Sequence, residues 1–529
     1  MIDSRGGTGS LLVAGTTSDA GKSLITAGIC RWLARQGVRV APFKAQNMSN
    51  NSMVVGVAGA ANAAHGATGA TPGVGAEIGR AQVMQAQAAG VEPEVAMNPV
   101  LLKPGSDRTS QVVLLGQVFA EASATSYQEL KPRLREAVLA SYQDLKSRFD
   151  VVICEGAGSP TEINLRDGDL VNMGLAQPLG MPVVVVGDID RGGVFAAFHG
   201  TVALLDAADQ KLVSGFIINK FRGDPSLLTP GLRQIEDFTG RPVFGVVPWL
   251  PGIRLDAEDA LPIEAYAAGA RDGALDGGAR LRVAVVRFPR VSNFTDVDAL
   301  AIEPGVDVEF TASAAAVESA DLVVLPGTKS TVADLAWLRE RGLEPALAKR
   351  AAEGRPILGI CGGYQMLGTV IEDEVESRRG TVAGLGLLPV RTVFDPVKTL
   401  TRPTGFGLGE PVGGYEIHNG QVRVEGGESL FTDASGAALE GCQDGAVWGT
   451  IWHGALESDG FRRAYLAEVA RVCGLRFEPD PDVSFAAERE KQLDRLGDAV
   501  EEYVDTERLW RLIEDGPTAG LPLLPPGAG

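Results

Sequence analysis

PILGICGGYQMLG (Pro356–Gly368) runs from a short apolar stretch, Pro356 to Ile360, through Cys361 and the pair Gly362 and Gly363 into a helical pattern from Tyr364. The reading is a buried strand, a tight turn and a helix, with the cysteine on the turn. A residue in that place is lifted out of the sheet, the cysteine counterpart of a serine nucleophile elbow. The helix N-terminus behind it favours the thiolate, the nucleophilic form. A lone cysteine is more usually a small buried core residue. The double glycine directly after this one argues instead for a nucleophile aimed at a carbonyl carbon.

Such a cysteine needs a base. The four histidines are His65, His199, His418 and His453. His453, in GTIWHGALES, follows an apolar strand-like run in the same half of the chain and is the candidate. His418, in GGYEIHNG, is the rival, with a structural or interdomain role as its other reading. Gly327, in LPGTKST, ends a further strand, and its backbone N–H with that of Gly362 is a candidate oxyanion pair.

The surrounding pattern alternates strands and helices. In the second half it starts at LRVAVVRFP (Leu281 to Pro289) and continues through DLVVLPGTKST (Asp321 to Thr331), the cysteine stretch and AVWGTIWHG (Ala446 to Gly454). In the first half LLVAG (Leu11 to Gly15), VRVAPF, DVVICEG, PVVVVGDID, LVSGFIINK and PVFGVVP are apolar runs without alternation. Strands of that kind are covered on both faces, which is the signature of parallel sheets.

GTTSDAGKS (Gly15 to Ser23) follows the first strand and opens a helix, the context a phosphate-binding loop requires. Its backbone N–H groups and the helix N-terminus can cradle phosphates. Lys22 would reach the terminal phosphates and the Ser23 hydroxyl would ligate Mg²⁺. Five residues, not the usual four, separate Gly15 from Gly21. Glu155 closes the strand DVVICEG and is the candidate carboxylate for the same Mg²⁺. Asp188 and Asp190 end another strand and are read either as helpers to the metal or substrate or as solvated strand ends. Asn219 and Lys220 end a strand where base-reading residues lie in many nucleotide folds.

The chain has 529 residues, 48 Lys and Arg against 67 Asp and Glu, and a net charge of −19. That balance argues against general nucleic-acid binding and against docking on anionic membranes. The five cysteines, Cys30, Cys154, Cys361, Cys442 and Cys473, show neither a disulfide framework nor metal-ligand spacing. With no signal-peptide pattern and no long apolar run, the expectation is a cytoplasmic protein. The expected organisation is an ATP-binding domain over 1–264, a Gly/Ala/Asp linker over 265–280, a second α/β domain over 281–480, and a C-terminal helix with a frayed tail over 481–529. Residues Ala58 to Gly75 read as a surface loop. Phe485 to Ile513 reads as one charged helix packing back on the body.

A P-loop domain joined to a Cys/His domain suggests ATP-driven amide formation fed by ammonia from glutamine. The C-terminal half resembles a class I glutamine amidotransferase. The N-terminal half is similar to dethiobiotin synthetase, whose loop has the same five-residue spacing. Six further segments make the chain resemble the cobyric acid synthases over roughly Leu11 to Leu512: FKAQNMSNNS, EIGRAQVMQAQAAGVEPEVAMNPVLLKP, EGAGSPTEINLRDGDLVNMGLA, GDIDRGGVFA, INKFRGD and GYEIHNG. The resemblance implies two doubly wound, mostly parallel α/β domains, the first P-loop NTPase-like and the second flavodoxin-like.

It also implies amidation of the four peripheral carboxylates b, d, e and g of adenosylcobyrinic acid a,c-diamide, with ATP, Mg²⁺ and glutamine consumed in cobalamin biosynthesis. Carried over by position, Cys361 is the glutaminase nucleophile and His453 its base. Gly15, Thr16, Asp19, Ala20, Gly21, Lys22, Ser23 and Asn219 bind ATP, and Ser23 and Glu155 the metal. Candidate cations and polar groups for a polycarboxylate corrinoid are Lys44, Arg80, Lys103, Arg108, Arg166, Asp188, Arg191 and Arg222. Arg80 and Arg191 read equally as ordinary salt-bridge partners. Many class I members carry a glutamate two residues after the histidine. Here Gly454 and Ala455 follow and the first glutamate is Glu457, so the residue that orients His453 is left open. So is a homo-oligomeric state. Three alternatives stand beside this reading: a cobyrinic acid a,c-diamide synthase, a MinD/ParA-like regulatory ATPase with an inactive glutaminase domain, and an amidating enzyme for a cell-wall precursor. FKAQNMSNNS and EINLRDGDLVNMG favour the cobyric acid synthases over the first.

Overall fold

In a computed structural model of the chain, residues 9–56, 75–105, 109–255 and 280–527 are described. Residues 58–74 of the expected loop, with His65 among them, Arg108, and residues 265–279 of the expected linker lie outside them.

The apolar runs of the first half form a six-stranded sheet in the order Val243–Pro248, Val213–Phe221, Val183–Asp188, Gly9–Gly15, Val151–Glu155, Val40–Phe43. Every pairing in it is parallel. The chain leaves the central strand Gly9–Gly15 in both directions, and such a reversal opens a ligand crevice at the carboxyl ends of the strands. Gly15 and Glu155 both end strands there. The second sheet runs Val306–Thr311, Leu281–Val286, Leu322–Leu325, Ile357–Ile360, Val447–Thr450, Cys442–Asp444. Only its last pairing is antiparallel. Both domains are therefore α/β and mostly parallel, as the patterning requires.

Mixed sheets of shorter strands decorate this frame. One consists of Gln46–Met48, Val100–Pro104, Thr109–Leu114 and Gln117–Ser123. It grows out of the first domain towards the second. Another, Val370–Asp373, Gly380–Ala383, Val390–Thr401 and Glu416–Val424, brings GYEIHNG against the cysteine elbow.

The C-terminal region departs from expectation twice. The single helix expected over Phe485 to Ile513 is two, Phe485–Tyr503 and Thr506–Asp515. Between them Val504 bridges to Gly245, and Asp505 N–H donates to Phe244 O at 2.7 Å, so the break is held by the first sheet. The Asp505 side chain caps the second helix. The first helix packs on the N-terminal domain: Leu493, Leu496 and Val500 share one core with Ile25, Ile29 and Leu33 of the helix Lys22–Arg35. The tail is docked rather than frayed. Buried Gln210 exchanges both amide bonds with the backbone of Leu524 at 2.8 Å, and Arg241 donates to Pro522 O at 2.9 Å. Two buried polar side chains need those carbonyl and N–H partners. Among the described residues no helix is long and apolar enough to cross a membrane.

Candidate active site

Strand Ile357–Ile360 ends at Cys361, whose backbone has φ 49° and ψ −109°, and helix Gly362–Leu367 starts directly after it. A non-glycine residue in that region is strained and is held by its surroundings. Here Cys361 N–H donates to Thr450 O at 2.8 Å, and Cys361 O accepts from Gln365 N–H at 2.9 Å. Gly363 lets the elbow lie on the neighbouring strand, since a Cβ there would come 2.0 Å from Leu325 O. Gly327 sits beside the histidine, where a Cβ would come 2.8 Å from His453 Cε1. Gly362 packs on the next residue of that loop, Thr328.

His453 and Cys361 line the same cavity. The His453 Nδ1 lies 2.6 Å from Asp296 Oδ2, and Asp296 Oδ1 accepts Gly454 N–H at 2.8 Å. Burial disfavours the charged ring. The carboxylate of Asp296 and the sulfur of Cys361 outweigh it, and the imidazole is pushed up to about 10. Asp296 is therefore the carboxylate that holds His453, a partner the sequence left open. It lies in VSNFTDVDAL with no spacing that marks it; the one signal is an acid among residues that pack inward. Glu457, the first glutamate after His453, is turned away and pairs with Arg80. His418 lines the same cavity as Cys361. Its Nδ1 pairs with Gly420 O at 2.9 Å and burial pushes it down to about 4, so it is a neutral wall residue.

That cavity is built from both domains. Lys103 of the first domain lines it together with Asn293, Lys329, Cys361, Lys398 and His453 of the second. Behind the lysines lies Glu77, fully buried, with Lys103 Nζ at 3.1 Å and Lys398 Nζ at 2.5 Å. Lys103 also donates to Ser52 Oγ at 2.8 Å, and Ser52 N–H donates to Asn293 Oδ1 at 2.9 Å across the boundary. Burial would raise the Glu77 carboxyl; the two lysines overcome it and hold it at about 2. Burial lowers Lys398 to about 7.

At the other site, Asp19 and Gly21 of the loop both have positive φ. Lys22 Nζ donates to Thr17 O at 3.0 Å and Gly158 O at 3.3 Å. Asn219 Nδ2 donates to Ala20 O at 3.0 Å and so supports the loop from below. Ser23 Oγ donates to Glu155 Oε1 at 2.8 Å, placing a hydroxyl and a carboxylate together at the loop. Glu155 is fully buried. Burial alone would raise it, but Lys44 at 3.0 Å, Gln85, Lys22 and Ser23 hold it below its ordinary value. Among the described residues no group of three or more His, Cys, Asp or Glu is arranged to hold a metal ion by itself. One hydroxyl and one carboxylate, completed by substrate phosphates, fit Mg²⁺.

A cleft of about 800 Å³ opens next to this loop. Its walls include Ser18, Lys44, Asn47, Met48, Tyr127, Lys131, Gly158 and Arg166. Strand Val100–Pro104 separates it from the cysteine cavity. Leu102 and Pro104 line the cleft and Lys103 lines the cavity, as alternation along a strand demands.

Of the other expected substrate residues among those described, Arg80, Asp188, Arg191 and Arg222 lie away from the cleft and Arg166 at its rim. Arg80 is buried against Tyr415 and Glu457 of the second domain. Asp188 pairs with Lys220 at 2.8 Å and Arg191 with Asp19 at 3.3 Å, both beside the phosphate loop. Arg222 pairs with Asp190 and covers Trp249. Arg166 is tied by Asp209 at the rim of the cleft.

Comparison with known proteins matches both halves. Residues 11–263 fit the CobQ/CobB/MinD/ParA nucleotide binding domain, and residues 282–461 the CobB/CobQ-like glutamine amidotransferase domain. Cobyric acid synthase of Streptomyces avermitilis is 59% identical over 525 residues, covering 98% of this chain and 99% of the relative. The Streptomyces coelicolor protein of the same name is 60% identical over 524 residues, with the same coverage. That of Mycobacterium tuberculosis is 55% identical over 523 residues, again with 98% and 99% coverage. With a formed cysteine elbow, a phosphate loop and relatives of this identity along nearly its whole length, the chain belongs to the cobyric acid synthase family, glutamine-dependent amidoligases of cobalamin biosynthesis.

Proposed function

We propose that the chain amidates the b, d, e and g carboxylates of adenosylcobyrinic acid a,c-diamide to give adenosylcobyric acid, one glutamine and one ATP being consumed per amide. The observation that carries the reading is the single strand, Val100–Pro104, between the cavity of Cys361 and the cleft beside the phosphate loop.

In the first half-reaction the Cys361 sulfur attacks the side-chain amide carbon of glutamine. The backbone N–H groups at Gly362 and Gly327 receive the negative charge that develops on oxygen. His453, held by Asp296, gives its proton to the departing ammonia. It then takes one from the water that cleaves the thioester and frees glutamate. In the second half-reaction a corrinoid carboxylate in the cleft attacks the γ-phosphorus of ATP, the bond to the β–γ bridging oxygen breaks, ADP leaves and an acyl phosphate forms. Lys22 and Lys44 spread the charge of that transfer. Ser23 and Glu155 would hold Mg²⁺, which when bound neutralises charge on the phosphate oxygens. Ammonia then attacks the acyl carbon, phosphate leaves, and the amide remains.

An acyl phosphate must be kept from water, which favours direct passage of ammonia past strand Val100–Pro104. The buried amides of Asn47, Asn51, Gln82 and Gln85 on this side each carry a polar atom without a partner among the described residues. Such atoms can hydrogen-bond a neutral ammonia in transit. The formed triad of Cys361, His453 and Asp296 counts against a regulatory ATPase with an inactive glutaminase.

Mass spectrometry of adenosylcobyrinic acid a,c-diamide incubated with protein, Mg-ATP and glutamine tests the reading. Four successive losses of about 1 Da, each an OH replaced by NH₂, are expected, and Cys361→Ala should give them only with free ammonia. An unchanged substrate, with glutamine and ATP still hydrolysed, would assign the machinery to another acceptor, cobyrinic acid being the next to try.

A further inference from the structure

Helix Arg80–Ala88 touches both reaction centres. At its first residue, Arg80 is 3% exposed and donates Nη1 to Tyr415 Oη and Nη2 to Glu457 Oε1, each at 2.9 Å. The Tyr415 ring stacks on the His453 imidazole, with centroids 5.4 Å apart and planes at 24°. The backbones of Tyr415 and His453 also exchange both N–H···O bonds at 2.9 Å. Further along the same helix, Gln85 Nε2 donates to Glu155 Oε2 at 2.5 Å and lies 3.5 Å from Ser23 O. Arg80 and Gln85 are about 7.5 Å apart along the helix axis. A hydrogen-bonded helix of this length moves as one body, so a shift at one end is delivered to the other.

We propose that this helix couples the nucleotide site to the glutaminase: Arg80 is a positioning residue for His453, acting through Tyr415, and Gln85 is the contact through which the state of Glu155 reaches it. The proposal rests on the reading above in taking Ser23 and Glu155 as the phosphate and metal end. Any group that claims Glu155 Oε2 takes the acceptor of Gln85 Nε2. Gln85 Oε1 already has no partner among the described residues. Nε2 would then keep only the long contact to Ser23 O at 3.5 Å, and a buried amide so poorly bonded is costly, so the side chain and its helix must resettle. At the far end the Arg80 fork spans Tyr415 and Glu457, and a small shift changes how the phenol is held. Tyr415 lies flat on His453, so the ring that gives and takes the proton is re-aimed. Glutamine is then cleaved fastest when a phosphoryl donor is in place.

The rate of Cys361 alkylation by iodoacetamide, resolved from the other cysteines by peptide mass spectrometry, reads the state of the Cys361/His453 pair without any corrinoid. It is measured against pH, with and without Mg-ATP, beside steady-state glutaminase kinetics, for wild type, Arg80→Met, Tyr415→Phe and Gln85→Ala. Arg80→Met and Tyr415→Phe are expected to lower glutaminase kcat about tenfold, the loss of one charge-assisted hydrogen bond, with KM for glutamine within about twofold. Both should shift the pH midpoint of alkylation, and the double variant should cost little more than either single one. Mg-ATP should change the wild-type alkylation rate severalfold and leave Gln85→Ala nearly unmoved. Unshifted midpoints in Tyr415→Phe, a wild type blind to Mg-ATP, or a Gln85→Ala that responds like wild type would each overturn the coupling. Tyr415→Phe keeps the buried ring, so it carries the test if Arg80→Met fails to fold. The amidation reading stands or falls separately, on amide formation from free ammonia.

Discussion

His453 Nδ1 sits 2.6 Å from Asp296 Oδ2, and the other Asp296 oxygen holds the backbone of the next residue, Gly454, at 2.8 Å. One carboxylate thereby fixes both the tautomer of the ring and the chain that carries it. The residue comes from the short 3₁₀ turn Phe294–Val297, far upstream of the histidine and on a different segment from the usual glutamate two places after it. Glu457, the nearest glutamate in sequence, serves the domain boundary through Arg80.

Asp296→Asn should therefore cripple glutamine use while sparing ammonia use. Loss of an orienting carboxylate in a comparable triad lowers kcat by about 10⁴, and a fall of at least about 10² is expected here. The check is glutamine hydrolysis beside amidation driven by ammonium. Equal losses in both would mean that the substitution disturbs the fold rather than the ring.

The same pair sets a pH dependence of stability. The His453 imidazole is raised to about 10 against an ordinary value of 6.5, the carboxylate of Asp296 and the sulfur of Cys361 overcoming burial. A raised value stabilises the folded state fully below about pH 6.5, and the contribution fades as pH rises through about 10. Asp296→Asn removes it. Urea unfolding should show a larger gap between wild type and variant near pH 6 than near pH 10; a gap that grows with pH would contradict the assignment.

The stretches that could be read from sequence are those in which one short segment supplies its own geometry. Pro356–Gly368 carries strand, turn and helix together, and Gly15–Ser23 does the same for the phosphate loop, so the local fold at both followed from them. The unbroken apolar runs likewise pointed to the parallel sheets. What escaped was assembled across distance. Asp296 meets His453, Glu77 meets Lys398, and Arg80 meets Tyr415 only after two sheets and an inserted mixed layer have formed. Arg80 reads from sequence as either an anion-binding cation or a salt-bridge partner, and Lys103 as the former, because a cation in a family-like segment has no sequence mark that tells a buried partner from an open cleft. The tail, rich in Pro and Gly, looked unstructured because its anchors, Gln210 and Arg241, lie in the first domain.

Glu77 is the test of that distant assembly. It is fully buried between Lys103 and Lys398. Glu77→Gln leaves Lys103 without its counter-charge and drives the proton off Lys398, already lowered to about 7, and a loss of about 3 kcal/mol is expected at neutral pH. Burial opposes ionisation of this carboxyl, but the lysines hold it at about 2, so its contribution is present above about pH 4.5 and is lost as pH falls towards about 2. The cost of the substitution should shrink in acid. If the cluster also seals the way between the sites, the ratio of glutamine hydrolysed to amide formed should rise. A neutral or stabilising Glu77→Gln would show that the lysines are satisfied elsewhere.

Two glycines offer a comparison in which the same substitution should have opposite signs. Gly28 lies mid-way along helix Lys22–Arg35, where it meets helix Phe485–Tyr503; an added Cβ would stand 2.7 Å from Leu496 O and 2.8 Å from Val500 Cγ2. Backbone cannot swing aside, so the helices must separate, at ~1–3 kcal/mol for overpacking. Alanine recovers only ~0.5–1 kcal/mol of helix preference over glycine. Gly28→Ala should thus destabilise the protein. Gly200, inside helix Val194–Leu204, has nothing within 4 Å of such a Cβ, and Gly200→Ala should stabilise by ~0.5–1 kcal/mol. Urea midpoints of the two variants on either side of wild type would establish that the C-terminal helix is a packed part of the N-terminal domain. Two stabilising substitutions would mean that it is not.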